Sequence, residues 1–395
     1  MRVIYRCILI MIGFLILGSC DTSNNVEPRD EEYFVKFFGE SGDQFGKKLI
    51  AVDGGFVIVG TSQKKDDDNQ IYVVGTDVNG NELWNKSFGN PNTDDFGQGI
   101  VESANGLVLV GNTFDDQGFS DILVYNLTSQ GDKIDSVIIG EPSINEEVND
   151  VIITQTGNIL LAGALGTDSY DFYFPRLSSD LSPSPSWGGI YEVGDIAKAV
   201  GLRESKDGNF FVFGTSNNKQ QAGSGKLQTN IVMIPINTEG IPDGEEVSFG
   251  TENREVASGV ASLSNGGFLT VGSTIDDDSD IYISSFQVNG KASGSYIVNT
   301  RVSISGKSIF EAQGGGYIVM GDVETPTGTN LYMTKTTNDG APLWKRTFGF
   351  SGINSAGGVL QLDDGSIAFT GSINLDNQSK MILIKTNENG DLESL

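Results

Sequence analysis

The sequence predicts an all-β protein, because short apolar runs alternate with Asn-Gly and Asp-Gly turns and no segment after residue 32 has a sustained helical period. A motif of one glycine, four or five mostly apolar residues and a second glycine occurs seven times. Its closing glycines lie 51, 52, 51, 58, 49 and 50 residues apart. A repeat of about 50 residues that holds four short strands is typical of a propeller blade. The predicted fold is therefore a seven-bladed β-propeller of four-stranded antiparallel blades.

The repeated motif predicts the second strand of each blade, and the glycines around it predict the turns. In the first copy the Asp53-Gly54 turn precedes the motif, and a later apolar run ends at the Asn79-Gly80 turn. Such pairs favour two-residue hairpins because both central residues need positive φ. Two turns per blade and a small-residue inner strand explain why 52 of the 395 residues are glycine. The closing glycines are Gly60, Gly111, Gly163, Gly214, Gly272, Gly321 and Gly371.

The two ends of the chain predict how the ring closes. In the first and sixth copies the outer strand ends in a Phe-Gly pair, Phe88-Gly89 and Phe348-Gly349. The last copy stops without this strand, whereas residues 33–39 carry the same pattern ahead of the first copy. We therefore expect residues 33–38 to form the outer strand of the seventh blade, which removes two open sheet edges.

The first 20 residues are typical of an export signal. Two basic residues precede an apolar run over residues 7–17, which is shorter than the roughly 20 residues that a membrane span needs. Leu17-Gly18-Ser19-Cys20 then resembles the lipobox of bacterial lipoproteins. The resemblance implies that residues 1–19 are a signal peptide and that Cys20 carries the lipid, palmitate included. A plain signal peptide or a membrane-spanning anchor is the alternative.

The rest of the chain divides into a tether and the propeller. Residues 20–32 are the lipidated tether, because they are polar, acidic and without an apolar period. The propeller occupies residues 33–395. Its blades resemble those of secreted and lipidated Bacteroidota propellers, most closely over Ile71–Gly89 and Leu331–Gly349. This resemblance implies a lipid-anchored protein of the cell outer membrane, with its head periplasmic or surface-exposed.

Composition argues against several classes of function. The chain has no histidine, so it holds no imidazole base, no Ser-His-Asp system and no His-ligated zinc. Its 52 acidic and 25 basic residues give a formal charge of −27, which argues against nucleic acid and against anionic lipid as partners. The two cysteines are Cys7, in the signal, and Cys20, so the propeller has no disulfide. We expect no cofactor.

Acidic residues are concentrated in the loops that we predict on one face of the disc. Clustered carboxylates are ligands that calcium prefers, although no loop has the alternating Asp spacing of a dedicated calcium loop. A solvated rim that limits edge-to-edge aggregation is the alternative to calcium binding. The weak calcium candidates are Asp66, Asp67, Asp68, Asp276, Asp277 and Asp278.

The same face is the predicted partner surface, because variable loops on a rigid scaffold carry most binding sites. Trp187 follows the irregular segment 182–186, which predicts an exposed aromatic side chain. The negative charge of the face favours a basic or cationic partner. The predicted surface comprises Asp43, Asp95, Asp115, Asp116, Glu147, Glu255 and Trp187.

These observations favour a non-catalytic binding or scaffold module, held by its lipid within an outer-membrane protein complex. Two carboxylates roughly 5 to 10 Å apart also serve glycosidase acid–base chemistry, but a chain with 52 acidic residues offers such pairs by chance. The alternative is therefore a glycan-binding or glycan-processing component of an uptake system, and its enzymatic form is a carboxylate-dependent glycan-active enzyme. No catalytic residue is assigned from the sequence.

Overall fold

The described part of the chain folds as predicted, as a seven-bladed β-propeller. The computed structural model describes residues 33–63, 68–192, 196–217, 228–275, 279–299 and 302–392. These residues form strands β1–β30, numbered in chain order, in seven sheets of four or five strands. The predicted signal peptide and tether, residues 1–32, lie outside the described residues. Among the described residues, no helix is long and apolar enough to cross a membrane.

Each blade runs from the centre of the disc to its edge. The inner strands are β2 (Asp43–Val52), β6 (Asp94–Ser103), β10 (Asn145–Ile153), β15 (Ala197–Glu204), β19 (Arg254–Ser262), β23 (Ile304–Glu311) and β28 (Ser355–Gln361). The second strands are β3 (Gly55–Gln63), β7 (Gly106–Phe114), β11 (Ile159–Gly166), β16 (Phe210–Ser216), β20 (Phe268–Ile275), β24 (Tyr317–Thr325) and β29 (Ile367–Leu375).

The two outer positions complete each blade. The third strands are β4 (Asn69–Asp77), β8 (Ser120–Leu127), β12 (Tyr170–Tyr173), β17 (Asn230–Ile236), β21 (Ile281–Phe286), β25 (Gly328–Thr336) and β30 (Gln378–Thr386). The outer strands are β5 (Glu82–Phe88), β9 (Lys133–Ile139), β14 (Ile190–Tyr191), β18 (Val247–Phe249), β22 (Ala292–Val298), β26 (Pro342–Phe348) and β1 (Phe34–Phe38). Two short strands, β13 (Arg176–Leu177) and β27 (Gly352–Ile353), pair with β11 and β25.

The core lies between neighbouring blades. The second strands are apolar on both sheet faces because a blade covers each face, so they do not show the alternation of a half-exposed strand. In β3, for example, the first eight of nine residues are buried, whereas the outer strand β5 alternates between exposed and half-buried positions. The apolar run inside each Gly-to-Gly motif is therefore the part of the repeat that fixes blade-to-blade packing.

The closing strand is confirmed. β1 pairs antiparallel with β30, from Phe34 opposite Lys385 to Phe38 opposite Met381. Phe34 and Phe38 are each 4% exposed and pack in one cluster with residues of the first and seventh blades. The chain ends are thus joined by backbone pairing and by a shared apolar contact.

A β-bulge interrupts each inner strand at the same position of the repeat. In six strands a single residue loses its partner on the second strand, and in β28 two residues do so. A bulge of this kind re-aims side chains without ending the sheet. The bulged residues are Lys47, Gln98, Asn149, Val200, Ser258, Lys307 and the pair Gly357-Gly358.

Candidate functional site

A cavity of about 850 Å³ lies where the seven inner strands converge. Each of these strands contributes at least one residue to its wall, so the cavity occupies the axis of the disc. All eight bulged residues of the inner strands line the cavity, among them Lys47, Gln98 and Ser258. A pocket of this size is in the range that holds small organic ligands.

The cavity wall is basic although the protein as a whole is strongly acidic. Among the described residues, two acidic side chains line it, Glu147 and Asp150, against six basic ones. Its charge is therefore opposite in sign to the formal charge of −27 on the chain. Because low-dielectric walls focus the field of such a cluster, the cavity attracts anions. The six basic residues are Lys47, Lys48, Lys198, Arg203, Arg254 and Lys307.

Asp150 joins two of these cations from different blades. Lys48, in the first blade, and Arg203, in the fourth, both form ion pairs with the Asp150 carboxylate, and the Arg203 Nη1 to Asp150 Oδ2 distance is 2.6 Å. Arg203 also donates to the backbone oxygen of Val260 at 2.6 Å. Burial alone raises the pKa of Asp150, but the charges of Lys48 and Arg203 bring it below the ordinary value. This ion bridge connects the first, third, fourth and fifth blades.

Lys198 is also compensated. Its Nζ lies 2.8 Å from Glu147 Oε2 and 4.4 Å from the centre of the Tyr170 ring. A carboxylate and an aromatic face both stabilise an ammonium group. Both acidic residues of the cavity wall are thus already paired with cations, which leaves neither as a free carboxylate for glycosidase chemistry.

The other three cations, Lys47, Lys307 and Arg254, have no carboxylate of the cavity wall as a partner. The Lys307 Nζ is 3.7 Å from Asp322 Oδ2, a long ion pair. Within the described residues, Lys47 and Arg254 have no acidic partner in contact. Desolvation by the surrounding wall lowers the pKa of Lys47, and the charges of Lys307 and Lys48 lower it further, although the side chain itself keeps contact with solvent.

The remainder of the wall mixes polar and apolar groups. Asn149, Ser308 and Thr229 supply amide and hydroxyl groups, while Phe310 and Leu360 supply apolar surface. Apolar surface with a few placed polar groups is the usual composition of a small-molecule site. Together with the cation excess, this composition suits a polar ligand that carries negative charge.

Comparison with known proteins shows similarity in fold alone. No known protein family matches the sequence, and no curated protein is similar to it. A protein of unknown function from Dyadobacter fermentans has 9% identity and a TM-score of 0.54, over 89% of this chain and 97% of its own. An ulvan lyase, a polysaccharide lyase, has 10% identity and a TM-score of 0.59, over 91% and 98%. The periplasmic gluconolactonase of Pseudomonas aeruginosa has 12% identity and a TM-score of 0.50, over 76% and 87%.

The neighbours with this fold include enzymes. This finding overturns the sequence-based prediction that the protein is not an enzyme, because a polysaccharide lyase and a gluconolactonase share the architecture on which that prediction relied. The absence of histidine removes one kind of catalytic base, but lysine in a cationic cavity remains available for proton transfer. The fold is compatible with catalysis as well as with binding.

Of the predicted partner surface, only Glu147 lines the cavity. Asp95 and Glu255 are fully buried and hold the loops that lead into their inner strands. Asp95 Oδ2 accepts from the Asn90 backbone at 2.8 Å, and Glu255 Oε1 accepts from the Thr251 backbone at 3.1 Å. These two acids therefore serve loop structure and do not belong to a solvated rim.

The other acids of that predicted surface lie apart. Asp43 Oδ1 accepts from the Ser379 backbone at 2.7 Å and links the first and seventh blades. Asp115 is exposed and caps its own turn by accepting from the Gln117 and Phe119 backbones, and its neighbour Asp116 is exposed. The structure does not bring these side chains together into one site.

The prediction that Trp187 is exposed is wrong. Its side chain is 7% exposed, and its Nε1 donates to the Phe174 backbone oxygen at 2.7 Å. The ring packs edge-on against Phe210, and the Arg176 guanidinium lies 4.6 Å from its centre. Trp187 belongs to the apolar cluster between the third and fourth blades, whereas the segment before it is mostly exposed.

The calcium candidates remain a prediction. Asp66, Asp67, Asp276, Asp277 and Asp278 lie outside the described residues, whereas Asp68 is described and exposed. Among the described residues, no group of three or more Asp, Glu, Cys or His side chains is arranged to hold a metal ion.

The basic cluster was missed in the sequence, although a signal for it exists. Lys47 and Lys307 each directly follow a small residue of the inner strand, Gly46 and Gly306. Alignment of the seven repeats on that small residue places both lysines at one ring position. Since only the seventh blade separates the sixth from the first, this shared position makes the two lysines neighbours around the axis.

Glu146 predicts a measurable pH dependence of stability. The side chain is 2% exposed and burial raises its pKa to about 7, although Oε1 accepts from the Glu141 backbone at 3.2 Å. The folded protein therefore binds this proton more tightly than the unfolded chain, so stability is highest below the ordinary pKa and falls as the pH rises through about 7. In the wild type, we expect the free energy of unfolding to fall by on the order of 1 to 2 kcal/mol between acidic and mildly alkaline pH because of Glu146. The Glu146→Gln variant should not show this fall.

Urea unfolding at a series of pH values measures this effect. Asp116→Asn, at an exposed aspartate, is the matched control and should follow the wild-type curve. Parallel pH curves for the wild type and Glu146→Gln would show that Glu146 is ionised in the folded protein at neutral pH.

Proposed function

We propose that the protein is a carbohydrate-active propeller whose axial cavity binds an anionic saccharide. One observation carries the proposal. In the described part of a chain with a formal charge of −27, six basic side chains converge on the cavity, and the two acidic side chains that line it are already paired. Such a cluster is costly to assemble unless it meets an anion. The ligand's own carboxylate or sulfate groups supply that charge.

The size and surface of the cavity support a saccharide. A volume of about 850 Å³ accommodates several sugar rings, and the wall offers hydroxyl and amide groups beside apolar surface. Two solved structures with this fold add support, since one is an ulvan lyase bound to -[GlcA(1-4)Rha3S]- and another is a gluconolactonase. Both handle sugars or sugar acids by name, at 10% and 12% identity to this chain.

This proposal adopts the glycan-directed alternative in place of the scaffold role. A scaffold needs an exposed partner surface, whereas the acids predicted to form one are either buried or scattered. The predicted lipid on Cys20 would hold the propeller at the outer membrane, where a saccharide-binding protein meets its ligand before uptake. Both the anchor and the location remain proposals.

Titration calorimetry with defined oligosaccharides tests the function. We expect oligogalacturonate to bind and a neutral galactan oligosaccharide of equal length to bind at least about tenfold more weakly, because only the former compensates the cavity charge. Arg254→Ala should weaken oligogalacturonate binding, since Arg254 lines the cavity and has no acidic partner among the described residues. Product analysis of the same mixtures reports whether the saccharide is cleaved.

Lys86→Ala is the matched control. Lys86 is exposed on the outer strand β5 and pairs with Asp132, so its loss should change affinity by less than about twofold. Equal binding of the acidic and neutral oligosaccharides, or equal effects of the Arg254 and Lys86 variants, would contradict the proposal.

A further inference from the structure

We infer that Lys47 and Lys307, on either side of the Gly357-Gly358 bulge, form the subsite that binds the anionic group of the ligand. The group is compact and presents several oxygen acceptors, as a carboxylate or a sulfate ester does. The inference rests on the proposed function and assigns its charge recognition to one place in the cavity.

The ring of bulged residues brings these groups together. Lys307 lies in the sixth blade and Lys47 in the first, and the seventh blade between them contributes only glycines at this level. All four residues line the cavity. A Cβ on Gly357 would lie 2.8 Å from the Gly46 backbone oxygen and 2.9 Å from that of Lys47. The glycines therefore let β28 pack closely against β2, and the wall between the two lysines carries no side chain.

The electrostatics separate these two lysines from Lys48, Lys198 and Arg203, the cavity cations that Asp150 and Glu147 neutralise. Lys48 and Arg203 share Asp150, and Lys198 pairs with Glu147. Lys47 has no acidic partner in contact among the described residues, and the only carboxylate close to Lys307 is that of Asp322, 3.7 Å away. Lys307 is near enough to disfavour the charge of Lys47. Both side chains keep contact with solvent, and like charges held together on one cavity wall favour the binding of a counter-charge.

The chemistry of the pair matches an oxyanion. Each ammonium group has three donors and no acceptor, so both can donate to different oxygens of one carboxylate or sulfate. Charge-assisted hydrogen bonds of this kind are roughly twice as strong as neutral ones. Removal of either lysine should therefore weaken oligogalacturonate binding by about tenfold or more.

Stability separates a binding role from a structural one. Lys47→Ala removes a side chain that faces other cations and has no acidic partner in the described structure, so the melting temperature of the free protein should stay the same or rise. A lysine needed for folding would lower the melting temperature when replaced. Lys86→Ala controls for the general loss of one positive charge.

The pH dependence of binding gives a second, independent readout. Lys47 binds an anion only while protonated, so affinity should fall as the pH rises through its pKa, below the ordinary lysine value of 10.5. Replacement of Lys307 by alanine removes a repulsive charge and should move this fall to higher pH. The other charged groups around Lys47 in the cavity are Lys48, Glu147, Asp150, Lys198, Arg203, Arg254 and Asp322 beside Lys307.

Calorimetric titrations test the Lys47–Lys307 subsite. They compare the wild type with the Lys47→Ala, Lys307→Ala, Arg254→Ala and Lys86→Ala variants. Oligogalacturonate and a sulfated galactan oligosaccharide are the two acidic probes and distinguish the carboxylate from the sulfate. Loss of binding in both the Lys47 and Lys307 variants, with melting temperatures maintained, supports the subsite. Binding that persists in these two variants but fails in Arg254→Ala overturns the subsite and leaves the proposed function standing. If the wild type binds neither acidic probe, both the subsite and the proposed function are overturned.

Discussion

Replacement of both Phe34 and Phe38 by alanine is expected to lower the free energy of unfolding by about 5 kcal/mol or more. Both side chains are buried where β1 joins the seventh blade to the first, in a cluster with Leu49, Met381 and Leu383. Each truncation removes apolar contact and leaves a cavity at the seam where the chain ends meet. Since β1 is held only by β30 on one side, loss of this packing also frees a sheet edge. Chemical unfolding of the purified protein measures the effect.

Phe37 provides the control on the same strand. Its side chain is 43% exposed, so Phe37→Ala should change the free energy of unfolding by less than about 1 kcal/mol. Deletion of residues 33–38 should reproduce or exceed the loss caused by the double replacement. A propeller that melts at the same temperature without these residues would show that β1 does not close the ring.

Loss of the Asp150 carboxylate is the second large effect, and we expect Asp150→Ala to destabilise the protein by about 3 to 5 kcal/mol. The side chain is 4% exposed and accepts from both Lys48 and Arg203, so its removal leaves two cations without their partner inside the cavity. The pKa of Asp150 is held below its ordinary value of 3.8. Its stabilising contribution is therefore complete above pH 3.8 and lost only as the pH falls through that lower pKa.

A compensated variant distinguishes charge from packing. Simultaneous Asp150→Leu, Lys48→Met and Arg203→Met replacements remove all three charges and should recover much of the stability lost in Asp150→Ala, because an apolar set of similar volume often replaces a buried ion bridge without loss. Equal destabilisation of the triple and single variants would mean that the bridge acts through shape. Unfolding curves of the three proteins at one pH are sufficient.

The fold was predictable because its determinants are local and repeated. Each Gly-to-Gly motif encodes a strand buried on both faces, and each Asn-Gly or Asp-Gly pair encodes a hairpin, so seven weak signals agree. The turn type differs from the prediction, as Gly80 shows: the glycine has a φ of 72° but Asn79 has no positive φ, and the Gly80 N–H donates to the Asp77 oxygen at 3.0 Å. The hairpin is therefore a three-residue loop that needs positive φ at the glycine alone. The closing strand was predictable for the same reason, since residues 33–38 repeat the outer-strand pattern.

The site was not predictable from the same signals because its contacts are long-range. Lys48 and Asp150 are 102 residues apart and meet only because the ring closes. Burial also reverses the apparent role of charged residues: Asp95 and Glu255 look like surface acids in the sequence but lie fully buried beneath their loops. Trp187 shows the same limit: the Ser-Pro segment before it is mostly exposed, but the Trp187 side chain itself is buried against Phe210.

Because every inner strand carries a bulge at the same position, the side chains that line the cavity can change without a change in how the blades pair. A residue at this position has no partner on the second strand, so its identity places little demand on blade pairing. The ring accordingly tolerates amide, hydroxyl, aliphatic, ammonium and glycine at equivalent places, as in Gln98, Ser258 and Val200. The seven bulges act as a set of interchangeable positions around one axis, and a new ligand preference requires substitutions at these positions while the blades stay as they are.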